Sequence, residues 1–325
     1  MLSSLPSTAV RYAFAYNQTR LRTLLDPIYT LVSRALLRDS VPCSKALMAR
    51  TFEDNMYDAY RQRARKTQYF IEDWDFSQAR PELLTSKERQ FVHTTTLGET
   101  SGMAVSDGFL RAFRTSPELG PFFGTWFVEE LNHLRGFHQY VAKMGERWPA
   151  NKVHAVAEVE FKPYSDDVNE IAACNAFQEL VAYLVYRGFG AQVKDPFLAN
   201  MVKTFAKDEL RHFRFYQDVV ARQIQRQPSF RATVLKVFLK ATTPYNQVSG
   251  SPGRTLEHIE NGLFFFRKPE YDYFLDQVEF LLGTRLESLF DLYFSQLSST
   301  CPQCHTLTFR CECAQFEAHP TELRS

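Results

Sequence analysis

Two copies of one short motif, Glu-x-x-His, constrain the fold of this chain more than any other feature of its sequence. The first copy is Glu130 with His133, and the second is Glu209 with His212. Residues three positions apart lie on one face of an α-helix, so each pair can bind a single metal ion. Apolar residues repeat with a helical period around both motifs, which predicts that these polar side chains face the interior of a helical bundle.

The rest of the sequence predicts a protein built almost entirely from helices. Only 13 of the 325 residues are glycine, and alternating β-branched residues are hard to find. Thr85 with Glu88 has the pattern of a capping box, while Pro117 and Pro196 stand where first helical turns begin. The predicted helices run from Thr85 to about Arg114, Ser116 to about Gly145, Ser165 to about Arg187, Pro196 to about Gln227, 229 to 241, and Pro269 to Leu297.

The predicted fold class is all-α, a four-helix bundle with additional N- and C-terminal helices. Apolar residues make up 45% of the chain, enough to bury a large core. The predicted divisions are residues 1–80 for N-terminal helices and a connecting loop, 81–227 for the bundle, 228–298 for additional helices, and 299–325 for a cysteine-rich tail.

Two single glutamates complete the set of candidate metal ligands. Glu99 lies on the first long helix and Glu179 on the third, both on predicted apolar faces. The face predicted for the first helix also contains Val92, Thr96, Met103, Leu110 and Phe113. Four ionised carboxylates in an apolar core are costly, whereas two divalent cations balance their charge and leave both histidines neutral. Such ligands favour two iron ions, or manganese, over zinc. The alternative is a surface location, or buried salt bridges with Arg135 and Arg211.

Three segments resemble motifs of the soluble acyl-carrier-protein desaturases, which belong to the ferritin-like di-iron carboxylate superfamily. The segments are Trp126 to His133, Phe177 to Glu179, and Asp208 to His212. The resemblance implies a ferritin-like four-helix bundle. It also implies that Asp208 holds a ligand histidine by its outer nitrogen and that Trp74 carries electrons to the metals. The implied catalytic and iron-binding residues are Glu99, Glu130, His133, Glu179, Glu209 and His212.

The same resemblance implies an oxidoreductase that uses dioxygen to desaturate or hydroxylate an apolar substrate. The implied partners are a small-molecule or carrier-protein-bound substrate, a ferredoxin-like electron donor, and a second copy of the chain in a homodimer. Three departures leave the reaction open. The desaturase threonine is replaced by Ala182, the radical tyrosine of ribonucleotide reductase by Phe137, and the extra histidine of aryl-amine N-oxygenases by Phe205. Amine N-oxygenation and a non-catalytic iron-binding or interaction role are the alternatives.

Four of the six cysteines crowd near the C-terminus, at Cys301, Cys304, Cys311 and Cys313. A Cys-x-x-Cys segment followed by a second cysteine pair predicts a structural zinc site with four thiolate ligands. An iron–sulfur electron relay and a tail without metal are the alternatives.

Charge and hydropathy argue against two classes of partner. The formal net charge is +1 with both signs mixed along the chain, which predicts no nucleic-acid partner. No apolar run reaches about 18 residues, so no membrane span is predicted. The cysteine pattern favours a reducing, cytoplasmic compartment. The first 25 residues carry arginines and no acid, as in organellar import signals, so import stays open.

Overall fold

The computed structural model of this chain describes residues 43–48, 55–147, 150–158, 161, 163, 165–241, 265 and 267–286. These residues form helices and include no β-strand, which confirms the predicted all-α class. The α-helices are α1 (Lys45–Met48), α2 (Met56–Ala64), α3 (Ser86–Phe113), α4 (Leu119–Lys143), α5 (Ala150–Ala157), α6 (Val168–Gly190), α7 (Pro196–Arg226), α8 (Phe230–Ala241) and α9 (Lys268–Leu282). Three short 3-10 turns, Ile71–Asp73, Phe76–Gln78 and Pro81–Leu83, connect α2 to α3.

The four long helices pack as two pairs, α3 on α4 and α6 on α7. Their starts follow local capping rules. The Thr85 hydroxyl accepts the backbone N–H of Glu88, and the Glu88 carboxylate accepts the backbone N–H of Thr85 at 2.7 Å, so the predicted capping box is confirmed. Asp195 caps α7, because its side chain accepts a hydrogen bond from the backbone N–H of Phe197, and Pro196 is the first residue of the helix.

Three helix boundaries differ from the sequence prediction. Helix α4 begins at Leu119, because residues around Ser116 first form a turn, and α6 begins at Val168 with Asp167 as its cap. Helix α9 does not continue from Pro269 to Leu297. It ends at Leu282, where Gly283 takes the left-handed conformation with φ of 68°.

The buried face of α3 also differs from the prediction. Val92, Thr96 and Phe113 are buried as expected, but Met103 is 43% exposed and Leu110 is 55% exposed. The buried face is formed instead by small residues together with Val105 and two phenylalanines, and at Gly108 a Cβ would lie 2.7 Å from Phe161 Cδ1. Those buried residues are Phe91, Thr95, Gly98, Thr100, Ser101, Ala104, Val105, Gly108 and Phe109.

The interior consists of two apolar clusters with a polar layer between them. One cluster includes Phe122 from α4 and Tyr216 from α7, and the other includes Phe137 from α4 and Phe205 from α7. Along both helices the Glu-x-x-His motifs lie between these two clusters. The bundle therefore holds its polar side chains at mid-height, enclosed by aromatic residues on either side.

Several sequence predictions concern residues outside the described ranges. Both the arginine-containing residues 1–25 and the cysteines from Cys301 to Cys313 lie there, so the import signal and the zinc site remain predictions. The division of the chain at residues 80, 227 and 298 is likewise still a prediction. Among the helices that the structure describes, none combines the length and the apolar character that crossing a bilayer requires.

Candidate metal centre

The polar layer brings together the six candidate ligands from four helices. Their nitrogen and oxygen atoms form two groups, each with all its atoms within 4.8 Å of one another. Glu130 and Glu209 belong to both groups. One group adds Glu99 and His133, and the other adds Glu179 and His212. Five of the six residues are buried, and Glu99 is the partly exposed one.

Both histidines point one ring nitrogen toward the carboxylates. His212 Nδ1 lies 3.3 Å from Glu130 Oε1, 3.4 Å from Glu179 Oε2 and 3.3 Å from Glu209 Oε2. His133 Nδ1 lies 3.4 Å from Glu209 Oε1. Among the described residues, His133 Nδ1 and Glu130 Oε1 are buried without a hydrogen-bond partner, which is costly in an apolar interior. A pair of divalent cations would satisfy these atoms, so the residues fit the predicted two-metal centre.

Protons balance part of the charge when no cation is present. Burial raises the pKa of Glu179 to about 8. Burial works against charge on Glu209 as well, but hydrogen bonds from His133 and His212 outweigh it and lower the pKa of this carboxyl. Burial also disfavours the charged form of both histidines, yet the surrounding acidic groups raise the pKa of each well above its ordinary value. A metal ion that binds to these carboxylates and histidines must therefore displace protons from them.

The outer nitrogen of each histidine contacts a second carboxylate. His133 Nε2 lies 3.3 Å from Asp208 Oδ2, where the resemblance placed it, and His212 Nε2 lies 2.8 Å from Glu129 Oε2. Such carboxylates orient a ligand imidazole and increase its basicity. Sequence reasoning missed Glu129. The signal was present, because each Glu-x-x-His motif is directly preceded by an acidic residue.

One arginine and two tyrosines hold these outer carboxylates. Arg211 Nη2 donates to Glu129 Oε1 at 3.2 Å and also to Asp208. Tyr60 donates to Glu129 Oε2 at 2.5 Å, and Tyr69 donates to Asp208 Oδ2 at 3.0 Å. Burial would raise the pKa of Glu129, but His212 and Arg211 lower it to about 2. Glu129 thus stays ionised.

The arginines named in the salt-bridge alternative pair elsewhere. Arg211 binds the outer carboxylates, as described above, and Arg135 pairs with Glu72 at the surface. In the described part of the chain, neither arginine forms an ion pair with Glu130 or Glu209. The salt-bridge alternative with Arg135 and Arg211 is therefore not supported for Glu130 and Glu209.

Trp74 does not contact Asp208 directly, because the ring of Tyr69 lies between them. The hydroxyl that reaches Asp208 belongs to Tyr69, and the Trp74 ring packs against the Tyr69 ring at a centroid distance of 5.8 Å. Trp74 also contacts Phe197 edge to face at 5.9 Å. An electron-carrying role for Trp74 remains a prediction, and Tyr69 is the residue that sequence reasoning missed.

The two single glutamates are held by different donors. Trp126 Nε1 donates to Glu179 Oε1 at 2.9 Å, and the Tyr186 hydroxyl donates to Glu99 Oε1. Tyr186 and Asn175 are both buried residues of α6, and sequence reasoning assigned a role to neither.

A cavity of about 20 Å³ adjoins the inner carboxylates, enough for one water-sized molecule. Four carboxylates line it, with Gly98, Ser101 and Gly102 from α3 on the opposite wall. Asn175 lines it as well, and its amide donates to the Tyr216 hydroxyl at 3.1 Å. Ala182 is not among the lining residues, so Asn175 supplies a neutral polar group at this cavity.

The bundle has two helices with Glu-x-x-His motifs and two with single glutamates, and these residues meet in one layer of the interior. This arrangement defines a ferritin-like helical bundle with a candidate two-metal centre. Comparison with known proteins agrees. The fatty acid desaturase family model matches residues 124–261, a segment that carries every candidate ligand except Glu99. The predicted resemblance to desaturases is thereby confirmed.

Individual proteins show the same likeness. The putative acyl-[acyl-carrier-protein] desaturase DesA2 of Mycobacterium tuberculosis is 27% identical over 104 residues, which cover 31% of this chain and 38% of that protein. The R2-like ligand-binding oxidase of Sulfolobus acidocaldarius has a TM-score of 0.51 at 17% identity, covering 73% of this chain and 95% of the oxidase. A mutant R2-like ligand-binding oxidase with a reconstituted Mn/Fe cofactor gives a TM-score of 0.50 at 18% identity, covering 72% and 95% of the two chains. The predicted ferritin-like fold is confirmed.

Proposed function

We propose that this protein is a dioxygen-dependent oxidoreductase with two iron ions, or one iron and one manganese, that desaturates or hydroxylates an apolar substrate. The observation that carries the proposal is the layer in which four carboxylates and two histidine nitrogens converge. Two of its possible ligand atoms, His133 Nδ1 and Glu130 Oε1, are buried without a hydrogen-bond partner among the described residues. The match to the fatty acid desaturase family supports the same class of chemistry.

Each residue of the layer has a distinct part in this proposal. Glu130 and Glu209, which belong to both groups, would help to hold both ions. Glu99 with His133 and Glu179 with His212 would complete one ion site each. Bound iron would supply the redox chemistry that activates dioxygen for attack on a C–H bond. The protein supplies orientation through the outer carboxylates and a small cavity beside the carboxylate oxygens.

A chain carried on an acyl carrier protein is the substrate best supported. The relative in Mycobacterium tuberculosis is named as an acyl-[acyl-carrier-protein] desaturase. The cavity wall of glycines continues into Val105 and Phe109, which gives an apolar surface beside Glu130. A ferredoxin-like donor, a homodimer and a cytoplasmic location complete the proposal.

Metal loading followed by substrate-dependent oxygen uptake tests this function. Wild type and Glu130→Ala would be loaded with ferrous iron without oxygen, and their iron content and optical spectra compared after exposure to air. We expect two irons per chain in wild type and a large loss in Glu130→Ala, because that residue is shared by both ion sites. Equal iron content in the two proteins, or no iron in either, would contradict the metal centre.

The reaction is tested on the loaded protein. We expect faster oxygen consumption with acyl chains on a carrier protein than without substrate, and a desaturated or hydroxylated chain by mass spectrometry. Uptake with aryl amines alone would indicate N-oxygenation. Iron binding without substrate-dependent uptake from acyl, aryl or amino compounds would indicate the non-catalytic role.

A further inference from the structure

The small cavity beside the candidate ligands has a buried amide in its wall to which the proposed function gives no part. Asn175 lies in the interior of α6, and its side chain is 3% exposed. Asparagine is unfavourable inside a helix, because its amide usually bonds to nearby backbone or to water. Asn175 instead reaches α7, where its Nδ2 donates to the Tyr216 hydroxyl at 3.1 Å. Something other than helix stability therefore accounts for an amide at this position.

The contact with Tyr216 uses only part of the amide. An asparagine side chain has two N–H donors and a carbonyl oxygen with two acceptor positions. Among the described residues, the side chain of Asn175 makes this one hydrogen bond. Tyr216 is fully buried and does not line the cavity, whereas Asn175 does. Because one N–H is held by Tyr216, the second N–H and the carbonyl oxygen are left for a molecule in the cavity.

The other buried side-chain donors in the cavity wall are already used. The Ser101 hydroxyl donates to a backbone oxygen of its own helix at 2.5 Å, and the Trp126 indole donates to Glu179 at 2.9 Å. Gln178 is partly exposed and donates to a sulfur atom at 3.2 Å. The carboxylates in the wall are acceptors once a metal has displaced their protons. Within the described wall, Asn175 is thus the buried side chain that can still donate.

The size and the charge of the cavity indicate what this donor meets. A volume of about 20 Å³ holds one water-sized molecule and is too small for a carbon chain. Four carboxylates line the space, so a ligand that gains negative charge there is repelled by its surroundings. An uncharged N–H group stabilises such charge through a hydrogen bond. Dioxygen fits both conditions, because it is diatomic and becomes negatively charged when it is reduced.

We propose that Asn175 is a positioning residue for dioxygen, that its second N–H donates to a small ligand in this cavity, and that Tyr216 fixes the amide in this orientation. The inference rests on the proposed function, in which that ligand is dioxygen. Asn175 neither accepts nor delivers a proton in this role, and no covalent bond to it forms or breaks. Its amide favours a small ligand that accepts a hydrogen bond, and stabilises that ligand as its charge grows.

Binding of nitric oxide, a diatomic analogue of dioxygen, to the ferrous-loaded protein tests this role without turnover. Asn175→Leu keeps the branched shape of the side chain and removes its hydrogen-bonding groups. We expect nitric oxide to dissociate about fivefold faster from this variant, and its N–O stretching frequency in the infrared spectrum to rise, because a hydrogen bond to the ligand is lost.

Gln217→Leu is the matched control. Gln217 is another buried amide, and it donates to Gln277 Oε1 at 2.9 Å away from the cavity. Its dissociation rate should stay within about twofold of wild type, with an unchanged N–O frequency. All rates are measured on samples of equal iron content.

Two further variants separate the hydrogen bond from packing. Asn175→Ala removes the amide without adding bulk and should match Asn175→Leu. Tyr216→Phe keeps the amide but removes the contact that orients it, so dissociation should be about two- to threefold faster.

Equal dissociation rates and N–O frequencies in wild type, Asn175→Leu and Asn175→Ala would overturn the proposal and leave Asn175 as a packing partner of Tyr216. An unchanged rate in Tyr216→Phe would overturn the orienting part given to that hydroxyl. Wild-type protein that loads no ferrous iron would instead overturn the proposed function.

Discussion

At the scale of single residues, the donors that hold Glu99 and Glu179 distinguish two otherwise similar ion sites. Glu179 is buried and accepts from the Trp126 indole, whereas Glu99 is partly exposed and accepts from Tyr186. Because each carboxylate belongs to only one of the two groups, a change in one donor should act on one ion.

Tyr186→Phe and Trp126→Phe test this separation. Loss of a hydrogen bond to a charged group costs about 1.5–3 kcal/mol, so each variant should bind one of two Mn²⁺ ions about tenfold or more weakly. Calorimetric titration and electron paramagnetic resonance measure the two affinities. The control is Tyr140→Phe, which removes a buried hydroxyl that donates to Asp195 away from the centre. Both affinities falling equally in Tyr186→Phe would contradict separate roles.

The residues that could be predicted are those whose spacing along one helix is informative. Glu130 with His133 and Glu209 with His212 are local pairs, and their helical period placed them in the core. Tyr60 and Tyr69 could not be found this way. They reach Glu129 and Asp208 across 69 and 139 positions of sequence, and such contacts depend on how the helices pack.

At the scale of helices, Arg211 connects α4 with α7. Its guanidinium lies between Glu129 on α4 and Asp208 on α7, and the two carboxylates are little exposed. An arginine that neutralises two buried acids stabilises the contact between their helices only while all three charges are present.

Arg211→Met should therefore destabilise the bundle by about 3 kcal/mol, because it removes the arginine that buried Asp208 and partly buried Glu129 share. Arg135→Met is the matched control. Arg135 pairs with Glu72 with both side chains about half exposed, so its loss should cost about 0.5 kcal/mol or less. Urea unfolding followed by circular dichroism measures both variants. Similar free energies of unfolding for the two would show that the outer carboxylates do not depend on Arg211.

Gly283 was available in the sequence as a helix-ending signal and was not used. The helical period of the sequence continues beyond Gly283. The helix ends there because Gly283 adopts a left-handed backbone conformation, with φ of 68°, that residues with a side chain rarely adopt. The α3 capping box was predictable for the opposite reason, since Thr85 and Glu88 act within one turn. The exposure of Met103 and Leu110 could not be predicted, because the packing of α3 against α4 and α5 decides it.

Gly283→Ala tests the αL cap. A side chain there must adopt a strained backbone, and its Cβ would lie 2.5 Å from Cys43 Sγ, so we expect a loss of about 1–3 kcal/mol. Gly124→Ala is the control, because nothing lies within 4 Å of its Cβ in helix α4. That control should be neutral or stabilising by up to about 1 kcal/mol. Thermal unfolding compares them, and equal stability of both variants would contradict a strained cap.

At the scale of the whole molecule, the polar layer interrupts what would otherwise be one continuous apolar core. Its charge is balanced by protons in the metal-free protein and by cations in the loaded one. The stability of the two forms should therefore depend differently on pH. The ordinary pKa of a glutamate, 4.5, becomes about 8 for Glu179, and the pKa values of His133 and His212 are raised as well.

A raised folded-state pKa contributes stability that is complete below the unfolded-state value and is lost as pH rises through the folded-state value. For Glu179 that window extends from 4.5 to about 8, and raised histidine values give the same direction at higher pH. The metal-free protein should thus lose stability as pH rises from 4.5 to about 8, while bound Mn²⁺, which displaces these protons, binds more tightly. The difference in Tm between loaded and metal-free protein should widen over that range in scanning calorimetry.

Glu179→Gln removes one of the displaced protons, so the Tm difference should change less with pH in this variant. A Tm difference that narrows with pH would mean that protons and metal do not compete for this layer.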